Sequence, residues 1–356
     1  MENNTTTRIM IAMSGGVDSS VAACLCVEQG YECAGVTMKL ICGEQESTCC
    51  SLDDIEDARS VCRRLHIPYH VYNFTDSFEE QVIARFIRAY ETGGTPNPCI
   101  DCNRYIKFEK LLRRARELGF DKVATGHYAR VAYDENSGRY LLKKAADVSK
   151  DQSYVLYSLT QEQLKMTYFP LGEMSKAQTR EKAEQLELIN ARKRDSQDIC
   201  FVPDGNYAAF IERHTGKTYP CGDFTDEDGH VLGEHKGIIR YTVGQRKGLG
   251  LALPFPMYVK EKDLEENRVV LCKNENLFSK ELFAKDINLI SVSSIDEPMR
   301  VRARVRYNQP EQPATVTQTD DDTLHVVFDE PQRAICKGQA AVLYDGDTVI
   351  GGGTIV

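Results

Sequence analysis

The chain has 356 residues, 42% of them hydrophobic and 27% charged, with a formal net charge of −9 at pH 7. This length predicts two or three domains. Because the net charge is negative, the molecule as a whole does not attract nucleic acid, and any nucleic-acid surface must be local. Because the sequence has no apolar run of about 18 residues and its first residues do not resemble a signal peptide, we expect a cytoplasmic protein without a membrane partner.

Strands and helices alternate in the first part of the chain. Apolar runs predict strands at residues 9–13, 31–38, 69–74 and 122–126. Helical periodicity predicts helices at residues 19–30, 55–65, 78–90 and 107–118. This alternation is typical of an α/β fold with a doubly wound parallel sheet, whose ligands gather beyond the carboxyl ends of the strands.

The pattern changes after about residue 205. Residues 207–255 are rich in glycine and turn residues. Short strands then follow at residues 300–307, 315–319, 323–328, 340–344 and 349–356. Short strands at close spacing indicate a small antiparallel β-barrel. We therefore predict a catalytic α/β domain (1–205), a central connector domain (206–280) and a C-terminal β-barrel (281–356).

The segment Ser14-Gly-Gly-Val-Asp-Ser19 joins the first predicted strand to the first predicted helix. Its glycines allow the backbone to approach a pyrophosphate, its serines can donate hydrogen bonds, and Asp18 can orient the loop or reach a metal on the phosphates. It is not a Walker A loop, because the Gly-Lys-Thr of residues 216–218 has Ile211 where the first glycine belongs. The segment resembles the PP-loop of ATP pyrophosphatases, and the alternative is a capped tight turn.

Thirteen cysteines without a repeating frame favour thiol chemistry or metal binding over structural disulfides. Cys99 and Cys102 follow a proline-rich loop at the start of a basic helix, and Cys200 follows a basic cluster. Helix N-termini and nearby cations favour the thiolate form. The alternative for each is an inert buried cysteine. Cys42, Cys49 and Cys50 form either a second thiol cluster or a loop.

Several motifs together resemble the tRNA-specific 2-thiouridylase family. They occur in that family's order and span nearly the whole chain. The motifs lie at residues 14–19, 95–98, 102–103, 124–128, 150–154, 198–201, 242–250, 306–307 and 351–353. Taken alone, only the PP-loop and the segment Asp198-Ile-Cys-Phe201 are specific motifs. All the motifs together make a strong resemblance to the family.

The resemblance implies ATP-dependent 2-thiolation of the wobble uridine of tRNA, by adenylation of the uridine O2 and sulfur transfer from a cysteine persulfide, releasing AMP and pyrophosphate. It implies that Cys200 carries the persulfide and that Cys102 is the nucleophile, so that a Cys102–Cys200 disulfide forms and must be reduced. The implied partners are tRNA and a persulfide-donating sulfur-relay protein or cysteine desulfurase, with Mg²⁺ on the ATP.

The resemblance also assigns binding residues by position. The residues matching the nucleotide site are Ala12, Met13, Ser14, Gly15, Gly16, Val17, Asp18, Ser19, Met38 and Gly126. The residues matching tRNA contacts are Asn97, Pro98, Cys99, His127, Lys150, Asp151, Gln152, Arg306, Tyr307 and Gln339. Met38 could instead be a core residue and Arg306 an exposed charge. Because Arg300, Arg302, Arg304 and Arg306 alternate along one predicted strand, we expect all four on one face, suited to phosphates.

One position departs from the family pattern, since Cys99 stands where some members have aspartate. Asp101 is one residue that could compensate. Cys99, Cys102 and Cys200 could alternatively hold an iron–sulfur cluster, and zinc is a further alternative that lacks a second Cys-x-x-Cys. Two other functions stay open from the residues alone, a PP-loop ligase or amidase for a small molecule and a redox or metal-binding RNA-binding module.

Overall fold

The computed structural model describes residues 6–41, 51–193 and 199–356. Cys42, Cys49 and Cys50 of the predicted second thiol cluster lie outside the described residues, as does Asp198 of the motif around Cys200.

The described residues form a parallel sheet, a smaller mixed sheet and an antiparallel barrel. The strands are β1 (Arg8–Ala12), β2 (Glu32–Lys39), β3 (Tyr69–Asn73), β4 (Lys122–Ala124), β5 (Ala129–Asp134), β6 (Arg139–Lys144), β7 (Thr167–Tyr168), β8 (Gly222–Thr225), β9 (Val231–His235), β10 (Tyr258–Asp263), β11 (Arg268–Cys272), β12 (Phe278–Leu289), β13 (Met299–Arg304), β14 (Gln312–Asp320), β15 (Thr323–Arg333), β16 (Ala340–Asp345) and β17 (Thr348–Ile355).

Most α-helices belong to the first domain. They are α1 (Val17–Glu28), α2 (Leu52–Arg64), α3 (Thr75–Phe78), α4 (Ala84–Glu91), α5 (Pro98–Asp101), α6 (Leu111–Glu117), α7 (Gln161–Met166), α8 (Lys176–Gln185) and α9 (Tyr207–Thr215). Two π-helical stretches, Glu79–Ile83 and Cys102–Lys110, join α3 to α4 and α5 to α6. Short 3₁₀ turns lie at Val148–Lys150, Ser153–Leu156, Ile238–Arg240 and Asn274–Leu277.

The parallel sheet has the strand order β3-β2-β1-β4-β7 and is covered on both faces. Alternate residues of β1 enter different cores: Met10 packs with the helices between β3 and β4, whereas Ile9 and Ile11 pack with α1, α2 and α8. Because successive side chains point to opposite faces of a strand, a strand buried on both faces reads as the continuous apolar run seen here. The predicted doubly wound α/β fold is confirmed.

The helical segment that precedes β4 starts earlier than the sequence indicated. We predicted a helix from residue 107, but α5 begins at Pro98, and α5, the π-helical stretch and α6 follow one another without interruption. The Asn97 side chain accepts a hydrogen bond from the Cys99 backbone N–H at 3.1 Å. An N-cap asparagine followed by proline is a strong helix start, and both cysteines consequently lie within the helical segment.

The C-terminal strands close into a barrel. Strands β12, β15, β14, β13, β16 and β17 are hydrogen-bonded in this order, and β12 also pairs with β17. The predicted antiparallel barrel is therefore confirmed. Two features were missed: β12 itself, and the hairpin of β5 and β6, which extends the barrel sheet through the pairing of Lys143 with Thr348.

Candidate active site

The predicted phosphate loop, residues 14–19, follows the carboxyl end of the central strand β1. Helix α1 begins at Val17, and its N-cap residue is Gly16, which has no side chain with which to cap the helix. Gly15 has a φ of +72°, and a Cβ there would overlap the backbone of Asp54. Only glycine fits this position without strain, because the conformation and the space both exclude a side chain. The loop thus presents helical N–H groups at the sheet edge, as an anion site requires.

Hydrogen bonds within the loop hold its shape. The Ser14 backbone N–H donates to Ser19 Oγ at 3.2 Å, and Ser19 Oγ donates to the Gly16 carbonyl at 3.0 Å. The buried amide of Asn190 donates to the Gly15 carbonyl and to Ser20 Oγ, both at 2.9 Å. Asn190 was missed from sequence, since nothing near it in the chain indicates a contact with residue 15.

Asp18 is oriented by side chains from two later elements. Lys176 Nζ lies 2.7 and 2.8 Å from its two carboxylate oxygens, and the Tyr128 hydroxyl donates to Oδ1 at 2.9 Å. Lys176 is the first residue of α8, whose start is set by a capping box between Ser175 and Gln178. The contacts hold Asp18 in one orientation within the loop. The sequence indicated no role for Lys176.

Gly126 and Met38 flank the loop. A Cβ on Gly126 would lie 2.7 Å from the Ser19 backbone nitrogen, so the chain after β4 approaches the start of α1 closely only because residue 126 is glycine. Met38 is the penultimate residue of β2, the neighbour of β1, and is 8% exposed within the core that also contains Met10. Met38 therefore lies both in the core and near the sheet edge at which the phosphate loop lies. Its contact with the adenosine stays a prediction.

The thiol segment, residues 94–104, leads into α5 and the π-helical stretch. Cys99 is exposed and Cys102 is half-buried. Between them lies Asp101, and burial raises the pKa of this carboxyl to about 6 despite the opposing effect of Arg85, which lies 3.3 Å away. Single π-turns inside helices are frequent at functional sites. Two thiols and a carboxyl of raised pKa therefore share the first turns of one helical segment.

Cys200 reaches the same hydrophobic cluster from a distant part of the chain. The neighbouring Phe201 ring packs edge-on against Phe78 and Phe86, with centroids 5.8 and 5.2 Å apart. Cys102 and Cys200 both pack against this cluster. The two predicted catalytic cysteines therefore border the same large hydrophobic cluster.

The three predicted cysteines do not form a compact metal site. Zinc–sulfur bonds of about 2.3 Å put thiolate sulfurs about 4 Å apart around one zinc ion. Within residues 6–41, 51–193 and 199–356, the set of three possible ligands gathered within 4.8 Å of one another is Asp226, Asp228 and His230. Their surface turn lies between β8 and β9. The zinc alternative for Cys99, Cys102 and Cys200 therefore has no preformed site in the described chain.

Three of the predicted tRNA contacts are buried: Pro98 at the start of α5, and the polar residues His127 and Asp151. The His127 ring packs against the rings of Phe108 and Phe169, and its Nδ1 forms a 2.6 Å hydrogen bond with the Thr125 hydroxyl. Burial lowers the pKa of His127 well below its ordinary value. Asp151 as a whole residue is 5% exposed, and its carboxylate accepts hydrogen bonds from the Ala145 and Ser153 backbone N–H groups. These two side chains are engaged inside the protein.

Other predicted tRNA contacts surround the thiol segment. Gln339 Nε2 donates to the Thr95 carbonyl at 2.6 Å. The Tyr307 hydroxyl donates to the Asp151 carbonyl at 3.4 Å. Burial raises the pKa of Tyr307, and the nearby Asp151 and Cys99 act in the same direction. Gln152 accepts a hydrogen bond from the Tyr128 N–H at 2.9 Å, and Lys150 is half-buried.

The predicted arginine face is different in the structure. Strand β13 ends at Arg304, so Arg306 lies beyond the strand, where its guanidinium donates to the carbonyls of Val243 and Ala334 at 3.1 and 2.8 Å. Arg300 forms an ion pair with Asp329 at 2.7 Å, and Arg302 and Arg304 lie within 4 Å of Glu311. The expectation of four equivalent arginines on one strand face is wrong, because the chain turns away from the sheet after Arg304.

Comparison with known proteins matches all three parts of the chain. The tRNA methyl transferase HUP domain model matches residues 7–204, the tRNA methyl transferase PRC-barrel domain model residues 208–273, and the aminomethyltransferase beta-barrel domain model residues 279–355. The tRNA-specific 2-thiouridylase MnmA of Acetivibrio thermocellus is 52% identical over 98% of this chain and 99% of its own. The chain belongs to the tRNA-specific 2-thiouridylase family. The MnmA of Clostridioides difficile is 51% identical over 98% of each chain.

Solved structures are less similar to this chain than the sequence relatives are. The U34-tRNA thiolase NcsA from Methanococcus maripaludis, solved with its 4Fe-4S cluster, has a TM-score of 0.37 and 19% identity, covering 58% of this chain and 66% of that one. At this TM-score the alignment carries no argument about a cluster here. None of the helices in the described ranges combines the length and apolar character needed to cross a bilayer.

Proposed function

We propose that this protein thiolates C2 of the wobble uridine of tRNA in an ATP-dependent reaction. The uridine O2 attacks the α-phosphate of ATP, and pyrophosphate leaves. A sulfur nucleophile then adds at C2, and AMP leaves with the original oxygen. Family membership supports the overall activity, and the arrangement of the site supports the steps.

The observation that carries the proposal is the convergence of two segments at one sheet edge. The phosphate loop follows the carboxyl end of β1. The helical segment with Cys99 and Cys102 directly precedes the parallel strand β4. A helix that leads into a parallel strand runs antiparallel to it, so the N-terminus of the segment lies toward the edge at which the phosphate loop lies. A nucleotide and a thiol can therefore act on one substrate.

The phosphate loop fits a pyrophosphate group. Neither Gly15, with its positive φ, nor Gly126, which closely approaches the start of α1, places a Cβ in this region. In our proposal residues 12–19 hold the phosphates, and Met38 and Gly126 flank the adenosine. Mg²⁺ enters with the nucleotide. Because Lys176 and Tyr128 contact Asp18, we assign Asp18 to orienting the loop before any role toward the metal.

The sulfur steps balance with two cysteines. A donor protein, either a relay protein or a cysteine desulfurase, loads Cys200 as a persulfide. The Cys102 thiolate attacks the Cys200 sulfur, so that a Cys102–Cys200 disulfide forms and hydrosulfide leaves to attack C2. A dithiol reductant must then supply two electrons to restore both thiols. Because this requires a reducing compartment, we place the reaction in the cytoplasm.

We assign a separate role to each of the three predicted domains. Residues 1–205 would carry the chemistry, residues 206–280 would connect, and residues 281–356 would bind tRNA together with the exposed surface near Tyr307. Because Asp151 and His127 are buried, we assign any tRNA contact at these positions to their backbone groups and to neighbouring residues.

Serine variants of the two cysteines test the sulfur steps. We expect Cys102→Ser and Cys200→Ser to lose at least about 99% of sulfur incorporation into tRNA and to keep tRNA affinity within about twofold. The matched control is Cys221→Ser, because Cys221 is exposed, so that its thiol is accessible, and lies in the central domain. Full thiolation by either catalytic variant would refute the two-cysteine mechanism. A visible absorption band in anaerobically purified active protein, lost with activity on chelation, would favour the cluster instead.

Pyrophosphate release tests the substrate. We expect it to depend on a tRNA with uridine at the wobble position, and to fall to background when the same tRNA carries cytidine there. Equal release without RNA would favour the small-molecule ligase or amidase.

A further inference from the structure

The C-terminal barrel contacts the thiol segment at both of its ends. At the first end, the Thr95 N–H donates to the Lys337 carbonyl at 2.8 Å, and Gln339 Nε2 donates to the Thr95 carbonyl at 2.6 Å. At the second end, the Arg104 guanidinium forms a two-point ion pair with Asp286, one of whose hydrogen bonds is 3.0 Å. Cys99 and Cys102 lie between these two attachments.

The barrel backbone is distorted where it holds Arg104. Strand β12 pairs with β17 up to Lys285 and again from Asn288, so the register shifts across Asp286. Asp286 has a φ of +52°, which is uncommon for a residue with a side chain and costs about 1 kcal/mol or more. Bulges re-aim side chains out of the regular alternation. This bulge directs Asp286 away from the barrel and onto the first domain.

The ion pair acts on the thiol through a short rigid connection. Arg104 follows Cys102 by two residues in the same π-helical stretch. The side chains of Arg104 and Asp286 are 29% and 46% exposed, so the pair is partly shielded from water. A bidentate arginine–carboxylate contact fixes direction as well as distance. Movement of Asp286 would therefore rotate or shift the turn that carries Cys102.

We propose that Asp286 is a positioning residue that acts through Arg104 to hold Cys102, with Gln339 holding the opposite end of the thiol segment at Thr95. The barrel thereby sets the geometry of the thiols in addition to any contact it makes with tRNA. This inference rests on the proposed function for its catalytic consequence, but its geometric part does not require that function.

The test uses the full-length protein and the variant Asp286→Asn. We expect the maleimide alkylation rate of Cys102, followed by peptide mass spectrometry across a pH series, to change by at least about threefold, because the turn is no longer held. At saturating tRNA we expect kcat for thiolation to fall about tenfold, while KM for tRNA stays within about twofold. Asp286→Glu keeps the carboxylate and should recover part of both effects.

The matched control is Asp263→Asn, which removes another Asp–Arg pair at 2.7 Å, in the central domain. It should leave the Cys102 alkylation rate and kcat unchanged. Gln339→Leu cuts the opposite attachment and provides a second variant if Asp286→Asn folds poorly. Alkylation and kcat within twofold of the parent in the folded variants, or a change in KM alone, would overturn the proposal. Alkylation needs neither ATP nor tRNA, so it remains decisive if the parent protein fails to thiolate tRNA.

Discussion

The ammonium nitrogen of Lys176 lies 2.7 and 2.8 Å from the two carboxylate oxygens of Asp18, although the residues are 158 positions apart. The Lys176 side chain is 11% exposed and that of Asp18 is 32% exposed. The contact joins the start of α8 to the phosphate loop. Because both side chains are partly removed from solvent, loss of either one would leave the charge of the other without its partner.

The variant Lys176→Gln should weaken both the fold and the nucleotide step. We expect the free energy of unfolding, measured by urea denaturation, to fall by about 1–3 kcal/mol, because Asp18 loses its cation. Pyrophosphate release should fall at least about tenfold, because the loop loses its fixed orientation. The control Lys182→Gln breaks a more exposed ion pair with Glu28 between the same two helices, 2.8 Å apart. Equal pyrophosphate release by both variants would contradict the role of Lys176.

The variant Gly126→Ala should block the phosphate loop. The new Cβ would meet the Ser19 nitrogen at 2.7 Å and the Asp18 carbonyl carbon at 2.8 Å, so the start of α1 must shift. We expect a stability loss of about 1–3 kcal/mol and a loss of pyrophosphate release of about 100-fold.

Gly138→Ala is the control for this glycine substitution. Gly138 has a φ of +67° in a surface hairpin, and a Cβ there would meet the Tyr133 hydroxyl at an ordinary 3.9 Å. It should cost about 1 kcal/mol and leave activity unchanged. Normal pyrophosphate release by Gly126→Ala would show that the close approach is dispensable.

The variant Asp101→Asn should change how stability depends on pH. Burial raises the pKa of Asp101 to about 6 in the folded protein, from an ordinary value of 3.8. Between pH 3.8 and about pH 6 the folded state holds the Asp101 proton more tightly than the unfolded state does. The stability gained from this protonated carboxyl is therefore lost as the pH rises through the folded pKa. We therefore expect Asp101→Asn to be about 1–3 kcal/mol more stable than the parent at about pH 7.5, with the difference disappearing below about pH 4. A pH-independent difference in urea denaturation would refute this assignment.

The variant Arg306→Met should loosen the contact between the central domain and the barrel. Arg306 donates to the carbonyls of Val243 and Ala334, and its Nε is buried. We expect a loss of about 1–3 kcal/mol in unfolding free energy, compared with about 0.5 kcal/mol or less for Arg302→Met at an exposed site. If tRNA affinity falls while stability is unchanged, Arg306 is a direct tRNA contact instead.

The sequence predicted four of the five strands of the parallel sheet and missed the two-residue strand β7. The apolar runs of β1 and β2 are continuous because both faces of these strands are buried. The sequence also missed β12, where exposed residues interrupt the alternation: Phe278 and Phe283 are each 45% exposed. It also placed Arg306 within a strand. Alternation can continue in the sequence after the backbone has left the sheet, and only the pairing of β13 with its neighbours shows where the strand ends.

The sequence by itself determined the fold class, the phosphate loop and the identity of the thiol-bearing segments. These features depend on residue types at short spacings, which local periodicity and backbone preferences encode directly. Only the tertiary structure decided that Lys176 holds Asp18, that Asn190 supports Gly15, and that Asp286 reaches Arg104. Such pairings depend on the packing of helices on the sheet and on a bulge in a barrel strand. A linear pattern does not specify which distant side chains those three-dimensional arrangements bring together.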